Sequence, residues 1–231
     1  MDVLVKCLCD SGFTRLNTRL INPVIIHCVP GAGKTSCIRK LLALDSRFVA
    51  LTAGIAEQPN LTGRWIQKYK GQLIPDKFNL IDEYTLIEDC PVGAFACFGD
   101  PLQSNKSEPK PADFVCYFSH RFGSATAVLL KELGFEVQAE GQDSVQIADI
   151  YSVDPREQVL YFEEEVGALL CRHSLEAKHI SEVIGQTFQS VTFVTSLNSP
   201  SDYSVEVFQC ITRHRSHLLI LCPNATFTAS R

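Results

Sequence analysis

The 231-residue sequence lacks any apolar run close to the roughly 18 residues that a membrane-spanning helix needs. Its first residues, MDVLVKCLCDSGF, also lack the basic region and apolar core of a secretory signal. We therefore expect a protein that is made and kept inside a cell. Hydrophobic residues at 45% and charged residues at 20% are typical of a globular protein with a packed core.

No C-x-x-C pair occurs among the ten cysteines. Cys171 with His173, and His214 with His217, do not complete a four-ligand zinc spacing. Most of the cysteines are scattered through apolar runs, which is typical of buried thiols in a reducing compartment. We therefore expect neither a disulfide framework nor a zinc site.

An excess of positive charge is also missing, because the formal net charge is −5. Any nucleic-acid site must then be a local cluster. One candidate is the basic segment 60–70, which carries Trp65 and Tyr69 among its cations. It could contact a single strand through phosphates and stacking, or form a solvated helix with the two aromatic side chains facing inward.

The most informative stretch that is present is VPGAGKT, which follows an apolar run at 24–26 and precedes helical spacing over 34–44. Strand, glycine loop and helix in this order predict a phosphate-binding loop. Lys34 would reach the terminal phosphates and the Thr35 hydroxyl would ligate Mg²⁺. Cys28 stands where the full motif has its first glycine. The alternative is a glycine-rich turn that binds nothing. The predicted nucleotide-contacting residues are Val29, Pro30, Gly31, Ala32, Gly33, Lys34, Thr35 and Ser36.

A second strand is predicted at 47–52, and a further short apolar strand within 78–84 ends in the two carboxylates Asp82 and Glu83. About 50 residues after a phosphate loop, this pattern predicts a Walker-B element. Asp82 would hold Mg²⁺ from the end of a strand neighbouring the loop, and Glu83 would polarise the attacking water.

Two more buried strands lead into polar residues. The run at 93–103 ends at Gln103, which could sense the γ-phosphate or orient water. Arg121 follows the predicted strand at 113–119. It could neutralise charge in phosphoryl transfer, or it could be a surface arginine. Residues 104–112 between them are predicted to form a loop.

The pattern divides the chain into an extension at 1–23, a first lobe at 24–123 and a second lobe at 124–231. Residues 1–17 predict a short amphipathic helix that packs on a sheet edge, with a membrane or partner surface as the alternative. In the second lobe a helical pattern begins after residue 123. The lobe is then predicted to have strands at 135–137, 145–151, 159–162, 191–195 and 218–222, and a helix at 203–214.

The order of the motifs is more specific than any one of them. The chain has GAGKT, then DEY at 82–84, GDPLQ at 99–103, SHRFG at 119–123, GQTFQ at 185–189 and TRHR at 212–215. This order, over about residues 24–222, resembles the superfamily 1 helicases of positive-strand RNA viruses. The small size and the opening MDVLV resemble the triple-gene-block movement proteins of potexviruses, carlaviruses and their plant-virus relatives.

The resemblance implies an α/β fold of two RecA-like lobes with parallel sheets, a P-loop NTPase that uses ATP and Mg²⁺. It implies a catalytic set of Lys34, Glu83, Gln103, Arg121 and Arg213, the two arginines acting as arginine fingers, and metal ligation by Thr35 and Asp82. It also implies RNA contacts at Thr52, Arg64, Gly185 and Thr187.

As a function, the resemblance implies an ATP-hydrolysing RNA helicase that moves viral RNA between cells and suppresses RNA silencing. It implies single-stranded viral RNA, coat protein, other viral movement proteins and host silencing factors as partners, together with a homo-oligomer and no transmembrane segment. The implied location is the host cytoplasm, with plasmodesmata and cytoplasmic inclusions. The alternative is a non-catalytic RNA- and partner-binding protein with a vestigial nucleotide site.

Overall fold

The computed structural model describes residues 1–103, 109–200 and 203–228. Residues 104–108 of the predicted loop at 104–112 lie outside this range. The helices are α1 Asp2–Asp10, α2 Lys34–Leu44, α3 Ser124–Glu132, α4 Glu164–Arg172 and α5 Ser204–Ile211. The strands are β1 Thr14–Arg15, β2 Val24–Cys28, β3 Phe48–Thr52, β4 Ile66–Lys68, β5 Phe78–Asp82, β6 Ala96–Gly99, β7 Phe114–Cys116, β8 Phe118–Ser119, β9 Gln138–Ala139, β10 Ser144–Asp149, β11 Gln158–Tyr161, β12 Ala177–His179, β13 Ser190–Val194 and β14 His217–Cys222.

The chain forms two compact units, residues 1–118 and 119–231. The first unit contains a seven-stranded sheet in the order β1-β7-β2-β6-β5-β3-β4, parallel except for β1. Its central strands are buried apolar runs, as expected for a parallel sheet with both faces covered. Because these strands are parallel, the segments that follow β2, β5 and β6 leave the sheet at the same edge.

The second unit contains a five-stranded sheet in the order β10-β14-β13-β11-β12, all of it parallel. Its core includes the buried side chains of Phe193, Ile220 and Leu221. The segments that precede β10, β13 and β14 lie at one edge of this sheet, because Ser144 and Ser190 both pair with His217.

The predicted N-terminal helix is present as α1, but it ends at Asp10, residues 14–15 form β1, and the helix packs against α2 instead of only on a sheet edge. Its buried face consists of Leu4, Cys7 and Leu8. Cys7 Sγ lies 3.7 Å from Cys37 Sγ, so this face packs against α2. Over the described ranges, no helix combines the length and apolar character required to cross a membrane.

Several local expectations differ from the structure. Segment 60–70 is not a helix: it is a turn followed by β4, which pairs with β3. The predicted strand at 135–137 is an irregular segment directly before β9, and its Phe135 is buried against the Phe208 ring, with centroids 4.9 Å apart. The helix α4 and the strands β1, β9 and β12 were not predicted. The single strand predicted at 113–119 is divided into β7 and β8, and the helix predicted at 203–214 ends at Ile211.

The cysteines also correct an expectation. Cys90 and Cys97 form a disulfide, and the other eight cysteines are free. The segment after β5 returns over the sheet, so that Cys90 joins a buried apolar cluster that includes Ile25, Ile81 and Cys97. The expectation of thiols throughout was wrong for this pair because the contact depends on tertiary packing.

Candidate nucleotide-binding site

The glycine loop joins β2 to α2. Gly31 and Gly33 have φ values of 83° and 85°, in the left-handed region that glycine adopts without steric cost. Gly33 directly precedes α2, and no side chain in the described part of the chain caps that helix. Its first backbone N–H groups therefore have no intrahelical acceptor. A glycine loop at a helix N-terminus is suited to bind phosphate.

Cys28 is the last residue of β2, and its side chain is buried. The residue in place of the motif's first glycine thus belongs to the strand, where a side chain has room. Burial raises the pKa of the Cys28 thiol well above its usual value. The thiol is therefore neutral at pH 7 and is not an activated nucleophile.

Two carboxylates meet Lys34 at the carboxyl end of β5. Lys34 Nζ lies 3.1 Å from Asp82 Oδ1 and 2.5 Å from Glu83 Oε1. Burial by itself would lower the pKa of Lys34, but Asp82 and then Glu83 outweigh it and hold that pKa above its ordinary value. Burial raises the pKa of Asp82, and Lys34 opposes that shift. Lys34 is therefore a permanently charged group at physiological pH.

The backbone of Glu83 is unusual. Its φ of 54° and ψ of 43° are left-handed, and it directly precedes the 3-10 turn Tyr84–Leu86. A β-carbon on Gly54 would lie 3.3 Å from Glu83 Cγ, so the Glu83 side chain packs against this glycine. Left-handed non-glycine residues cost free energy and cluster at functional sites.

The strand β6 lies between β2 and β5, so Asp82 is not on a strand adjacent to the loop, contrary to the sequence-based prediction. Asp100 directly follows β6, and its carboxylate is buried. It accepts hydrogen bonds from Leu102 N at 3.0 Å and Gln103 Nε2 at 2.7 Å. The predicted γ-phosphate residue Gln103 is thus anchored to a buried acid that the sequence analysis gave no role.

Burial raises the pKa of Asp100 to about 6, although the bonds from Gln103 and Leu102 partly oppose it. Because this pKa lies above the unfolded value, the ionised form opposes folding above pH 6, and stability is regained as pH falls through 6 towards 4. We therefore compare the effect of Asp100→Asn on the free energy of unfolding at two pH values. Relative to the unaltered chain, the variant is expected to be about 1–3 kcal/mol more stable at pH 7.5 than it is at pH 4.5.

Urea unfolding of both proteins at the two pH values measures this difference. Asp89→Asn is the matched control, because Asp89 is an exposed acid in the same unit. An equal change for Asp100→Asn at both pH values would contradict the prediction.

His27 and Tyr84 connect β2 to the acidic segment, which is Asp82 and Glu83 at the end of β5. His27 Nε2 and Tyr84 Oη are 2.6 Å apart, and the two rings stack with centroids 6.0 Å apart. Gly99 makes room for the Tyr84 ring, since a β-carbon at this position would lie 2.8 Å from it. The residue after Glu83 is therefore held by contacts with both β2 and β6.

The residues at this site fit Mg²⁺ in their chemistry. Thr35 and Asp82 offer the oxygen donors that this ion prefers. Asp82 Oδ1 is buried and, among the described residues, accepts no hydrogen bond of good geometry; the Lys34 ammonium is its close neighbour. The described ranges contain no cluster of three or more histidine, cysteine or acidic ligands. Mg²⁺ in nucleotide sites typically uses one or two protein ligands plus phosphates and water.

Two predicted RNA contacts in the first unit have other partners. Thr52 is buried, and its Oγ1 accepts a hydrogen bond from Gly54 N at 3.0 Å. Arg64 Nη1 donates to Leu42 O at 2.9 Å, near the C-terminal end of α2 and about 12 Å along the helix from Lys34. Because the Thr52 side chain is buried in this conformation, it cannot contact RNA, contrary to the prediction.

The two predicted arginine fingers lie together in the second unit. Arg121 Nη1 donates to Thr212 O at 3.1 Å, directly beside Arg213. Arg213 is 1% exposed and is the largest fully buried side chain among the described residues. The structure therefore brings these two arginine-bearing segments into direct contact.

The predicted RNA residues Gly185 and Thr187 lie in the segment before β13. Gly185 is exposed with a φ of 80°, and Thr187 is half-buried. The same segment bonds to the arginine segment, because Phe188 N donates to Arg213 O at 2.8 Å. Thr187 and Arg213 therefore belong to adjoining segments at one edge of the second sheet.

Sequence reasoning missed Asp100, His27 and Tyr84. Asp100 could have been found, because it follows a buried strand in the same way as Asp82. The hydrogen bond between His27 and Tyr84 joins residues 57 positions apart, and nothing in the local sequence signals it.

Comparison with known proteins agrees with this architecture. Residues 24–222 match the viral superfamily 1 RNA helicase core domain. The arterivirus nonstructural protein 10 helicase, solved with DNA, is similar in fold with a TM-score of 0.55 at 17% identity, over 97% of this chain and 58% of that helicase. The chain has the two-lobed α/β fold of a superfamily 1 viral helicase, which confirms the predicted fold class.

Its relatives are more specific. The chain is 48% identical over 231 residues to the movement and silencing protein TGBp1 of chrysanthemum virus B, and 49% identical over 230 residues to that of Lily symptomless virus. Both alignments cover 100% of each chain. The chain therefore belongs to the TGBp1 family of movement and silencing proteins, and the resemblance inferred from its motif order is confirmed.

Proposed function

We propose that this chain is a Mg²⁺-dependent ATPase that binds single-stranded RNA and acts in cell-to-cell movement of viral RNA and in suppression of RNA silencing. The observation that carries the ATPase proposal is the convergence of Lys34, Asp82 and Glu83 next to a left-handed glycine loop. The names of the relatives support the movement and silencing roles.

In this proposal, the backbone of the glycine loop and Lys34 bind the β- and γ-phosphates. Thr35 and Asp82 would hold Mg²⁺, which neutralises phosphate charge when bound. Glu83 orients and deprotonates the attacking water. Gln103 and Arg121 contact the γ-phosphate and stabilise the charge that develops in the transition state. Arg213 is buried in this structure, so it joins them only in a conformation that exposes its guanidinium.

The RNA contacts are proposed at Arg64, Gly185 and Thr187, with coat protein, other movement proteins and host silencing factors as further partners. Self-association and a location in the host cytoplasm, at plasmodesmata or in inclusions, are part of the same proposal. The link between Phe188 and Arg213 supports coupling of RNA binding to the arginines, because a shift of one segment moves the other.

Steady-state ATP hydrolysis with and without single-stranded RNA tests the proposal. We expect turnover that depends on Mg²⁺ and rises when RNA is added. RNA binding without hydrolysis would instead support a non-catalytic protein that binds RNA and partners.

Replacing Arg213 with alanine is expected to lower turnover at least 100-fold while ATP affinity changes less than about threefold, because the guanidinium acts on the transition state. Arg215→Ala is the matched control, since Arg215 is exposed two residues away. ATP affinity and turnover that fall together would make Arg213 a structural residue.

RNA affinity is expected to fall as salt rises, because backbone contacts release counterions. For single strands the slope of log K against log salt is about −0.7 per phosphate contacted. Fluorescence anisotropy of a labelled oligonucleotide between 50 and 200 mM salt measures it. A flat response would contradict binding through the RNA backbone.

A further inference from the structure

Three buried polar side chains of the second unit form a network that the proposed reaction does not use. His214 Nε2 lies 2.9 Å from Thr126 Oγ1 and 3.5 Å from Asp143 Oδ2. His214 Nδ1 lies 2.8 Å from Ile211 O. A carbonyl oxygen only accepts, so Nδ1 carries a proton in this bond. In the neutral ring, Nε2 then accepts from the Thr126 hydroxyl.

Burial lowers the pKa of His214 despite the opposing influence of Asp143, so the imidazole is neutral at pH 7. Burial alone would raise the pKa of Asp143, but the hydrogen bonds that its carboxylate accepts from backbone N–H groups hold that pKa below its usual value. Two of these donors are Ala125 N at 2.8 Å and Thr126 N at 3.3 Å, in the first turn of α3. Asp143 is thus an ionised cap of that helix.

This network joins the two arginine-bearing segments. The rings of Phe122 and His214 stack with centroids 6.1 Å apart. Phe122 directly follows Arg121, and His214 directly follows Arg213. Arg121 also bonds to Thr212 O on the far side of Arg213. Arg213 is therefore linked to segment 119–123 through its neighbour His214. Arg121 is linked to segment 212–214 through its neighbour Phe122 and through its own guanidinium.

Gly123 extends the same contact. A β-carbon on Gly123 would lie 2.7 Å from Asp143 Oδ1 and 2.8 Å from both Asp143 N and Gly141 O. Only glycine lets the segment after Arg121 approach Asp143 this closely. Segments 119–123, 141–143 and 212–214 are thereby packed into a single polar core.

We propose that Asp143, Thr126 and His214 are positioning residues that hold Arg121 and Arg213 at a fixed mutual spacing, so that the two guanidiniums act as one unit. The role rests on the proposed ATPase function, and it adds residues that lie outside the phosphate loop and the acidic segment. In this proposal none of the three contacts the nucleotide, and each acts through the backbone and ring contacts that place the arginines.

The test compares Asp143→Asn, Thr126→Val and Thr126→Ser with the unaltered full-length chain. We expect Asp143→Asn and Thr126→Val to lower kcat for ATP at least tenfold with KM changed less than threefold. Thr126→Ser retains the hydroxyl, and its kcat is expected to stay within threefold of that of the unaltered chain. Asp154→Asn, at an exposed acid of the same unit, is the matched control.

A coupling measurement separates positioning from a general loss of structure. Because the network acts through Arg121 and Arg213, adding Asp143→Asn to the double variant Arg121→Ala/Arg213→Ala is expected to lower kcat no further than the double variant alone. Losses that multiply would overturn the proposal, as would unchanged kcat in Asp143→Asn. A kcat of Thr126→Ser as low as that of Thr126→Val would also overturn the proposal. A wild-type chain that hydrolyses no ATP would overturn the proposed function itself, and this proposal with it.

Discussion

Replacing Lys34 with alanine is expected to reduce ATP turnover at least 100-fold, a loss of about 3 kcal/mol or more of transition-state stabilisation. The ammonium is the cation that the structure places beside Asp82 and Glu83 after the glycine loop. Its removal would delete the proposed phosphate contact, and it leaves two adjacent carboxylates without their counter-ion. Steady-state hydrolysis at saturating ATP measures the effect.

Lys40→Ala is the control for this substitution, because Lys40 is an exposed lysine on the same helix. It removes the same charge from the chain without touching the site, so turnover is expected to stay within about twofold. Thermal unfolding of both variants shows whether the fold survives. Turnover of Lys34→Ala within threefold of the unaltered chain would eliminate the phosphate-loop assignment.

The second large effect is expected for Glu83→Gln. A general base contributes about 10²–10⁴-fold to such reactions, and glutamine cannot accept the proton from water. The amide oxygen still accepts a hydrogen bond from Lys34, so the packing of the site is preserved. We expect turnover to fall at least 100-fold while ATP affinity stays within threefold.

Binding of a fluorescent ATP analogue and single-turnover hydrolysis separate the two quantities. Glu88→Gln provides the comparison, because Glu88 is an exposed glutamate five positions further along the chain. If Glu83→Gln loses affinity as much as turnover, Glu83 maintains the site by charge and is not the base. If RNA-stimulated turnover persists in Glu83→Gln, a residue other than Glu83 is the general base.

Local sequence was sufficient for much of the first unit. The apolar run at 24–26, the glycines and the helical spacing that follows predict strand, loop and helix, and the structure has β2 and α2 in these places. The carboxylates after the run at 78–82 likewise follow β5. These features depend on period and on backbone conformation within a few residues, so a single segment specifies them.

Predictions that depend on which other segments of the chain a segment packs against were less complete. The aromatics of segment 60–70 suggested either a solvated helix or an RNA contact. The helix is absent, because the segment contains the edge strand β4, paired with β3, and an arginine bonded to the end of α2. Phe135 and Val137 alternate like a strand and yet lie in an irregular buried segment. Apolar spacing indicates that a residue is buried, and it does not indicate what covers it.

The sequence by itself determined the phosphate loop, the acidic segment and, through the order of six motifs, the helicase family. Only the tertiary structure decided that β6 separates β2 from β5, that Asp100 anchors Gln103, that Cys90 meets Cys97 and that Asp143 and His214 tie the arginine segments together. The reason is physical. Backbone conformation and hydrophobic period are set within one element, whereas the partner of a buried polar group is chosen by packing among elements far apart in the chain.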